Sequence, residues 1–249
     1  MNSGDYRQRL YDRYVEASPH HYRLLADAGG FEDLRAFYRA THGPWLPPDR
    51  SARILEIGCG SGQFCYFLQQ EGYTRFEGVD ASPQMLEVCR RMGVANVRQG
   101  DALAHLDQHP GEFDAIVAND FIEHLTKPEI LAFLARARAA LRPGGRLIMK
   151  TPNAACIFGA RDRYVDFTHE VGFTAESARQ VLVASGFEAV RLLSVDGAPP
   201  RTLRSWGRFL LWTIVLRPML GLLARVIIGS GPHIHTINIL IVGERPRAV

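Results

Sequence analysis

Ile54-Leu55-Glu56-Ile57-Gly58-Cys59-Gly60-Ser61-Gly62-Gln63-Phe64 is the stretch whose reading decides the fold. Arg53 to Ile57 reads as a short apolar strand. It runs straight into a loop with glycine at every second position, and a helix follows. Glycine takes positive φ without strain and lets a ligand approach where a Cβ would block it. A plain strand-to-helix turn could use the same residues. A dinucleotide-binding G-x-G-x-x-G loop needs its third glycine one place later, where Gln63 stands, so a pyrophosphate cradle is disfavoured.

Outward from this loop the chain alternates strands and helices. Phe76 to Asp80 reads as a second strand, after which Ser82-Pro83 opens a helix with proline in its first turn. Asn96 to Asp101 reads as a third strand. Phe113 to Asn119 is a fourth, apolar nearly throughout, as a strand covered on both faces should be. Thr126-Lys127-Pro128-Glu129 has the capping-box pattern and starts a helix that Pro143-Gly144-Gly145 stops. Arg146 to Lys150, Phe187 to Val195 and Thr236 to Gly243 complete the strands, with a helix from Thr174 to Gly186 between the fifth and sixth. This alternation implies an α/β fold, a mostly parallel sheet with helices on both faces. Ligands of such sheets bind outside the carboxyl ends of the strands. Asp80, Asp101 and Asn119 stand at those ends.

The Glu-x-Gly-x-Gly-x-Gly loop, Asp80, Gly100-Asp101, Phe113-Asp114-Ala115-Ile116-Val117 and Leu141-Arg142-Pro143-Gly144-Gly145 together resemble the ordered motifs of class I S-adenosylmethionine-dependent methyltransferases. The likeness covers roughly residues 50–195 and the last strand, and is to the branch acting on small molecules, quinones and sugars. It implies a seven-stranded Rossmann-like sheet of order 3-2-1-4-5-7-6, its last strand antiparallel. It also implies S-adenosylmethionine as cofactor. By position, Glu56 and Gly58 would meet the methionine end, and Gly60 and Gly62 would line its close approach. Asp80 would bind the ribose and Ala81 would pack on adenine. Asp101 and Ala102 would read the adenine edge, and Asn119 would lie beside the methionine part.

The acceptor side should follow the fourth and fifth strands, in Asn119-Asp120-Phe121-Ile122-Glu123-His124 and Tyr164-Val165-Asp166-Phe167-Thr168-His169-Glu170. Methyl transfer leaves the protein to align the acceptor and, for a hydroxyl, to take its proton. An imidazole suits that task at neutral pH, so His169 is the first catalytic candidate, with His124 and Asp120 beside it. His169 could instead be a loop residue bonded to backbone, and His124 a packing residue at a helix start. Asp120, Glu123, His124 and His169 also resemble the metal-binding set of small-RNA end methyltransferases. That pattern has a different first acid and is accompanied by a basic patch, so no metal is expected here.

Composition sets the remaining bounds. The 249 residues, 47% of them hydrophobic, suffice for a sizeable core, and a net charge of +3 does not demand a nucleic-acid partner. Cys59, Cys65, Cys89 and Cys156 form no C-x-x-C pair and read as reduced thiols of a cytoplasmic protein. Met1 to Leu10 is polar and shows no signal peptide. Residues 1–49 read as a helical cap, with Tyr6, Tyr11, Tyr14, Phe37 and Tyr38 among charges, closed by Pro44-Trp45-Leu46-Pro47-Pro48. Residues 50–196 and 234–249 form the catalytic domain, and 197–233 an insert. The insert is apolar from Trp206 to Ile228 but carries Arg208, Arg217, Arg225 and Pro218. Proline costs a helix interior about 3 kcal/mol and arginine at a bilayer centre at least ~2.5 kcal/mol. Two short amphipathic helices are therefore expected, either as a lid, as a homodimer contact, or as a peripheral membrane contact through 201–228 at the inner face. The expected function is O-methylation of a sugar, glycan intermediate or other small molecule. Alternatives are a quinone or phenol acceptor, an RNA end, or a cofactor-binding regulatory subunit without turnover.

Overall fold

The computed structural model describes residue 10, residues 28–195, residue 200, residues 202–229 and residues 234–247. Tyr6, Tyr11, Tyr14 and most of the N-terminal cap lie outside the described residues. The seven strands are β1 (Arg53–Ile57), β2 (Arg75–Asp80), β3 (Val97–Gln99), β4 (Phe113–Asn119), β5 (Leu141–Pro152), β6 (Glu188–Ser194) and β7 (Asn238–Glu244). They form one sheet of order β3-β2-β1-β4-β5-β7-β6. The pairs β1–β2, β1–β4, β2–β3 and β4–β5 are parallel, and β7 is antiparallel to both β5 and β6. This is the expected Rossmann-like sheet.

The helices are α1 (Ala28–Thr41), α2 (Gln63–Gln70), α3 (Pro83–Arg91), α4 (Ala102–Asp107), α5 (Lys127–Ala140), α6 (Gly159–Tyr164), α7 (Ala175–Ala184), α8 (Leu203–Leu210) and α9 (Arg217–Ile228). Strand periodicity of two sends alternate side chains to opposite faces. Ile116 and Ala118 of β4, with Leu147 and Met149 of β5, join Phe133 and Leu134 of α5 and Leu182 of α7. Ala115, Val117 and Ile148 join Phe64, Phe67 and Leu68 of α2 and Phe31 and Tyr38 of α1. The same alternation decides the polar ends. Asn119 and Lys150 continue the α1–α2 face, and Thr151 continues the α5 face.

Three features depart from the sequence reading by more than a residue or two at a strand end. β5 begins at Leu141, because the chain leaves α5 extended at Leu141 (φ −69, ψ 147) and carries Pro143-Gly144-Gly145 within the strand. β3 ends at Gln99, and Asp101 caps α4, its carboxylate accepting from the Ala104 N–H. Pro44–Pro48 is docked: Leu46 is buried, and Tyr73 Oη donates to the Pro47 carbonyl at 2.7 Å.

The insert departs furthest. Instead of two short helices, Leu203–Ile227 is one helical run of 25 residues. It widens into a π-helical turn over Leu211–Leu216, directly before Pro218 in the first turn of α9. The wider turn accommodates a residue that lacks an N–H and crowds the carbonyl four places back.

Candidate active site

The glycine loop takes its shape from positive φ at Gly58 (66°), Gly60 (53°) and Gly62 (80°). Gly58 and Cys59 both donate backbone N–H to the Val79 carbonyl, which ties the loop to the end of β2. A Cβ on Gly58 would meet Phe121 Cδ2 at 2.8 Å. Asp80 completes the tie: Oδ2 accepts from Gly60 N and Oδ1 from Ser82 N, each at 2.8 Å. Burial raises the Asp80 pKa, and these two N–H donors oppose the rise. A carboxylate offers about four lone-pair sites, so two backbone donors leave capacity for ribose hydroxyls.

Glu56 stands behind the loop, 2% exposed. It accepts from Cys65 Sγ at 3.2 Å and from Asn119 Nδ2 at 3.4 Å. Burial pushes its carboxyl up to about 8. Asn119 Oδ1 lies 2.9 Å from His42 Nε2. A carbonyl oxygen only accepts, so Nε2 carries the proton. His42 is fully buried and its pKa falls to about 3, chiefly through desolvation. The sequence offered no sign of His42. It comes from the short segment after α1, 77 residues from its partner, and stands edge-on to Tyr38 and close to Phe64.

Glu56 with Asn119 and Gly60 with Asp80 are thus two hydrogen-bonded pairs, and Gly58 is tied to Val79, all at the carboxyl ends of β1, β2 and β4. Gly62 is the left-handed residue at the head of α2. Ala81 accepts through its carbonyl from Gln99 Nε2 at 3.2 Å. Asp101 and Ala102 lie at the head of α4, beyond β3.

Of the acceptor candidates, Asp120 separates from the histidines. It adopts φ 49° and forms an ion pair with Lys150, and its N–H donates to the Lys150 carbonyl at 2.8 Å. Left-handed backbone at a non-glycine residue costs of order 1–2 kcal/mol and is held by its surroundings. His124 and His169 come together, ring centroids 4.8 Å apart and planes at 67°. Thr168 Oγ1 donates to Asp166 Oδ1 at 2.6 Å, so its oxygen accepts from His124 Nδ1 at 2.8 Å. His169 Nδ1 donates to the Asp162 carbonyl at 3.0 Å. Both tautomers are therefore fixed, and both Nε2 atoms keep a lone pair. Burial and the neighbouring His169 lower His124 to about 4.

Glu123 lies beneath the two rings, 2% exposed. Its Oε2 accepts from Thr151 Oγ1 at 2.9 Å, whereas Oε1 has no hydrogen-bond partner among the described residues. Burial first, and then Asp120, pushes its carboxyl up to about 8. A cavity of about 10 Å³, roughly one water's worth, adjoins Glu123 and His169. Ligand atoms of Glu123, His124 and His169 all lie within 4.8 Å of one another, a set that could hold a divalent ion. Asp120 is outside it, so the four-residue set suggested by the sequence reduces to three.

The comparisons agree with this geometry. The sequence model of the family described as "Methyltransferase domain" matches residues 27–192. The chain is 32% identical over 111 residues to a ubiquinone biosynthesis O-methyltransferase of Xylella fastidiosa (strain 9a5c), covering 43% of this chain and 44% of the relative. It is 30% identical over 165 residues to a tRNA U34 carboxymethyltransferase of Hahella chejuensis, covering 60% and 49%. The matches thus span less than half the length of these relatives. In fold it is similar to a SAM-dependent methyltransferase of Archaeoglobus fulgidus, with TM-score 0.65, 23% identity, and 86% and 94% of the two chains covered. A Haemonchus contortus phosphoethanolamine N-methyltransferase 2, solved with S-adenosyl-L-methionine, gives TM-score 0.58 at 16% identity, covering 95% and 60%. The chain belongs to the family described as "Methyltransferase domain" and has the fold of S-adenosylmethionine-dependent methyltransferases.

Proposed function

We propose that the enzyme methylates a hydroxyl of a small molecule: a sugar, a glycan intermediate or a phenol. The observation that carries this is the His124–His169 pair, whose Nδ1 atoms are both held as donors, so that each neutral ring would present an Nε2 lone pair. Bound S-adenosylmethionine would supply the methyl, its sulfur–methyl bond breaking to leave S-adenosylhomocysteine as the C–O bond forms. The attacking hydroxyl must lose its proton, and an imidazole lone pair would accept it. His124, lowered to about 4, is a weak base at neutral pH, so His169 takes the proton and His124 orients the hydroxyl. Glu56, Asp80, Asp101 and Asn119, with the backbone of Gly58, Gly60 and Gly62, would hold the cofactor. Phenol as acceptor is supported by the relatives named ubiquinone biosynthesis O-methyltransferase. A sugar or glycan acceptor is supported by the resemblance of the ordered motifs to the branch acting on small molecules, quinones and sugars.

The test is isotopic methyl transfer to extracted membrane and soluble metabolite fractions, followed by His169→Ala on the labelled acceptor. The variant should lose kcat by about a hundred- to ten-thousand-fold while binding S-adenosylmethionine as before. Near-normal kcat at saturating acceptor would overturn the base assignment. A second reading, favoured by the 4.8 Å gathering of Glu123, His124 and His169, is that a divalent ion there activates the hydroxyl. Activity lost on chelation and restored by a divalent ion would select it. Activity indifferent to chelation selects the base.

A further inference from the structure

The helical run from Leu203 has no place in the methyl-transfer site, yet none of its apolar window is buried. Ile214, Leu222, Val226 and Ile227 are each between 65% and 75% exposed. Leaving such side chains in water forgoes the free energy of burying them, and monomers rarely show so large an apolar patch without a partner.

Charge decides which partner. Residues 197–243 contain five arginines and no aspartate or glutamate. Arg204, Arg208 and Arg225 are exposed. Pairing two copies of this helix would set arginine against arginine with no acid in the segment to compensate. An anionic lipid surface satisfies both the apolar side chains and the arginines.

Topology decides how the helix lies. It is tethered at both ends to one corner of the sheet, where Ser194 of β6 pairs with Ile239 of β7. If the helix crossed the bilayer, residues 229–237 would have to cross back. At full stretch they reach roughly 30 Å, the bare thickness of the hydrocarbon core, and their backbone would lie unpaired in lipid, which membranes do not tolerate. Asn153 also pins that return segment to the end of β5, its Nδ2 donating to the Ile234 and Thr236 carbonyls at 3.0 Å each. The helix therefore lies in the plane of one leaflet. A second segment supports the same face: after β5, Phe158, Tyr164 and Phe167 are 57–84% exposed. β5 and β6 end on the same side of the sheet, since both are antiparallel to β7.

We propose that Leu203–Ile228 is an in-plane membrane seat that docks the carboxyl edge of the sheet onto a surface of anionic lipid. The seat does not depend on which acceptor is methylated. The full-length protein should sediment with vesicles of phosphatidylcholine mixed with phosphatidylglycerol, and weakly or not at all with phosphatidylcholine alone. Binding should weaken with added salt. Each arginine near the surface is worth about 1 kcal/mol, about five-fold in affinity. Arg204→Ala/Arg208→Ala/Arg225→Ala should therefore bind about a hundred-fold more weakly, and Ile214→Glu/Leu222→Glu should also release the protein. Both variants should keep cofactor affinity, which verifies folding. Absence of binding to the anionic vesicles overturns the proposal, whether the protein is then a monomer or a dimer by ultracentrifugation. Resistance to alkaline carbonate extraction overturns the in-plane placement.

Discussion

At the scale of single residues, the glycine loop and its tie to Asp80 were readable because their geometry is local. The glycines, Glu56 and Asp80 fall within one β–α–β unit, and Gly60 N meets Asp80 Oδ2 across only 20 residues. His42 was not readable. Its role comes from a contact to Asn119 across 77 residues and from the aromatic wall of Tyr38 and Phe64, which no spacing rule reports. His124 and Asp120 show the same limit: the sequence placed them one turn apart, and the structure turned one toward His169 and the other toward Lys150. Asp80 yields the sharpest residue-level prediction. Its carboxylate would bind both ribose hydroxyls, and hydrogen bonds to a charged group are worth about 1.5–3 kcal/mol. Asp80→Ala should weaken S-adenosylmethionine binding by about ten-fold or more, measured calorimetrically. Unchanged affinity in a folded variant would remove Asp80 from the site.

At the scale of elements, periodicity and caps located every strand and most helices, because β4 and β5 are buried on both faces and α5 carries its full capping box. Propensity misjudged Pro218. A proline is a local penalty, and the π-helical turn ahead of it supplies a local remedy that sequence rules do not foresee. The glycine loop allows a cleaner test of what its residues are for. Gly62 and Gly72 share nearly the same φ, 80° and 83°. A Cβ on Gly62 would meet Cys89 Sγ at 2.8 Å and Val94 at 3.1 Å, whereas one on Gly72 meets nothing within 4 Å. Both alanine variants bear the left-handed cost of about 1–2 kcal/mol. Only Gly62→Ala adds overpacking, typically about 1–3 kcal/mol. Gly62→Ala should therefore melt at least about 2 °C below Gly72→Ala. Equal melting temperatures would mean that α3 gives way freely, and that Gly62 serves the ligand rather than the packing.

At the scale of the whole molecule, the buried His42, Glu56 and Glu123 and the half-buried His124 shape how stability should depend on pH. His42 and His124 have native pKa values lowered to about 3 and about 4. Their unfolded counterparts protonate near 6.5, so each removes stability as pH falls from about 6.5 toward its native value. Glu56 and Glu123 are raised to about 8 in the native state. Each keeps a proton that the unfolded chain gives up above about 4.5, so each removes stability as pH rises from there to about 8. Between about 4.5 and 6.5 the two histidine protons gained by the unfolded chain offset the two glutamate protons it lacks, and this set contributes little slope. Below that window the histidines act alone, and above it the glutamates do. The unliganded protein should show its stability plateau on the acid side of neutrality and lose stability steadily from about pH 6.5 to 8, at up to roughly 1.4 kcal/mol per pH unit for each glutamate. Glu56→Gln should remove about half of that alkaline slope. If the cationic methionine end of S-adenosylmethionine sits beside Glu56, as the family resemblance implies, the cofactor should do the same without mutation by favouring the carboxylate, and binding near pH 7 should release a proton. Denaturant unfolding at a series of pH values, with and without cofactor, measures both effects. An alkaline slope that survives both Glu56→Gln and saturating cofactor would show that Glu56 is already ionised in the native protein, and that Asn119 and Cys65 hold a carboxylate.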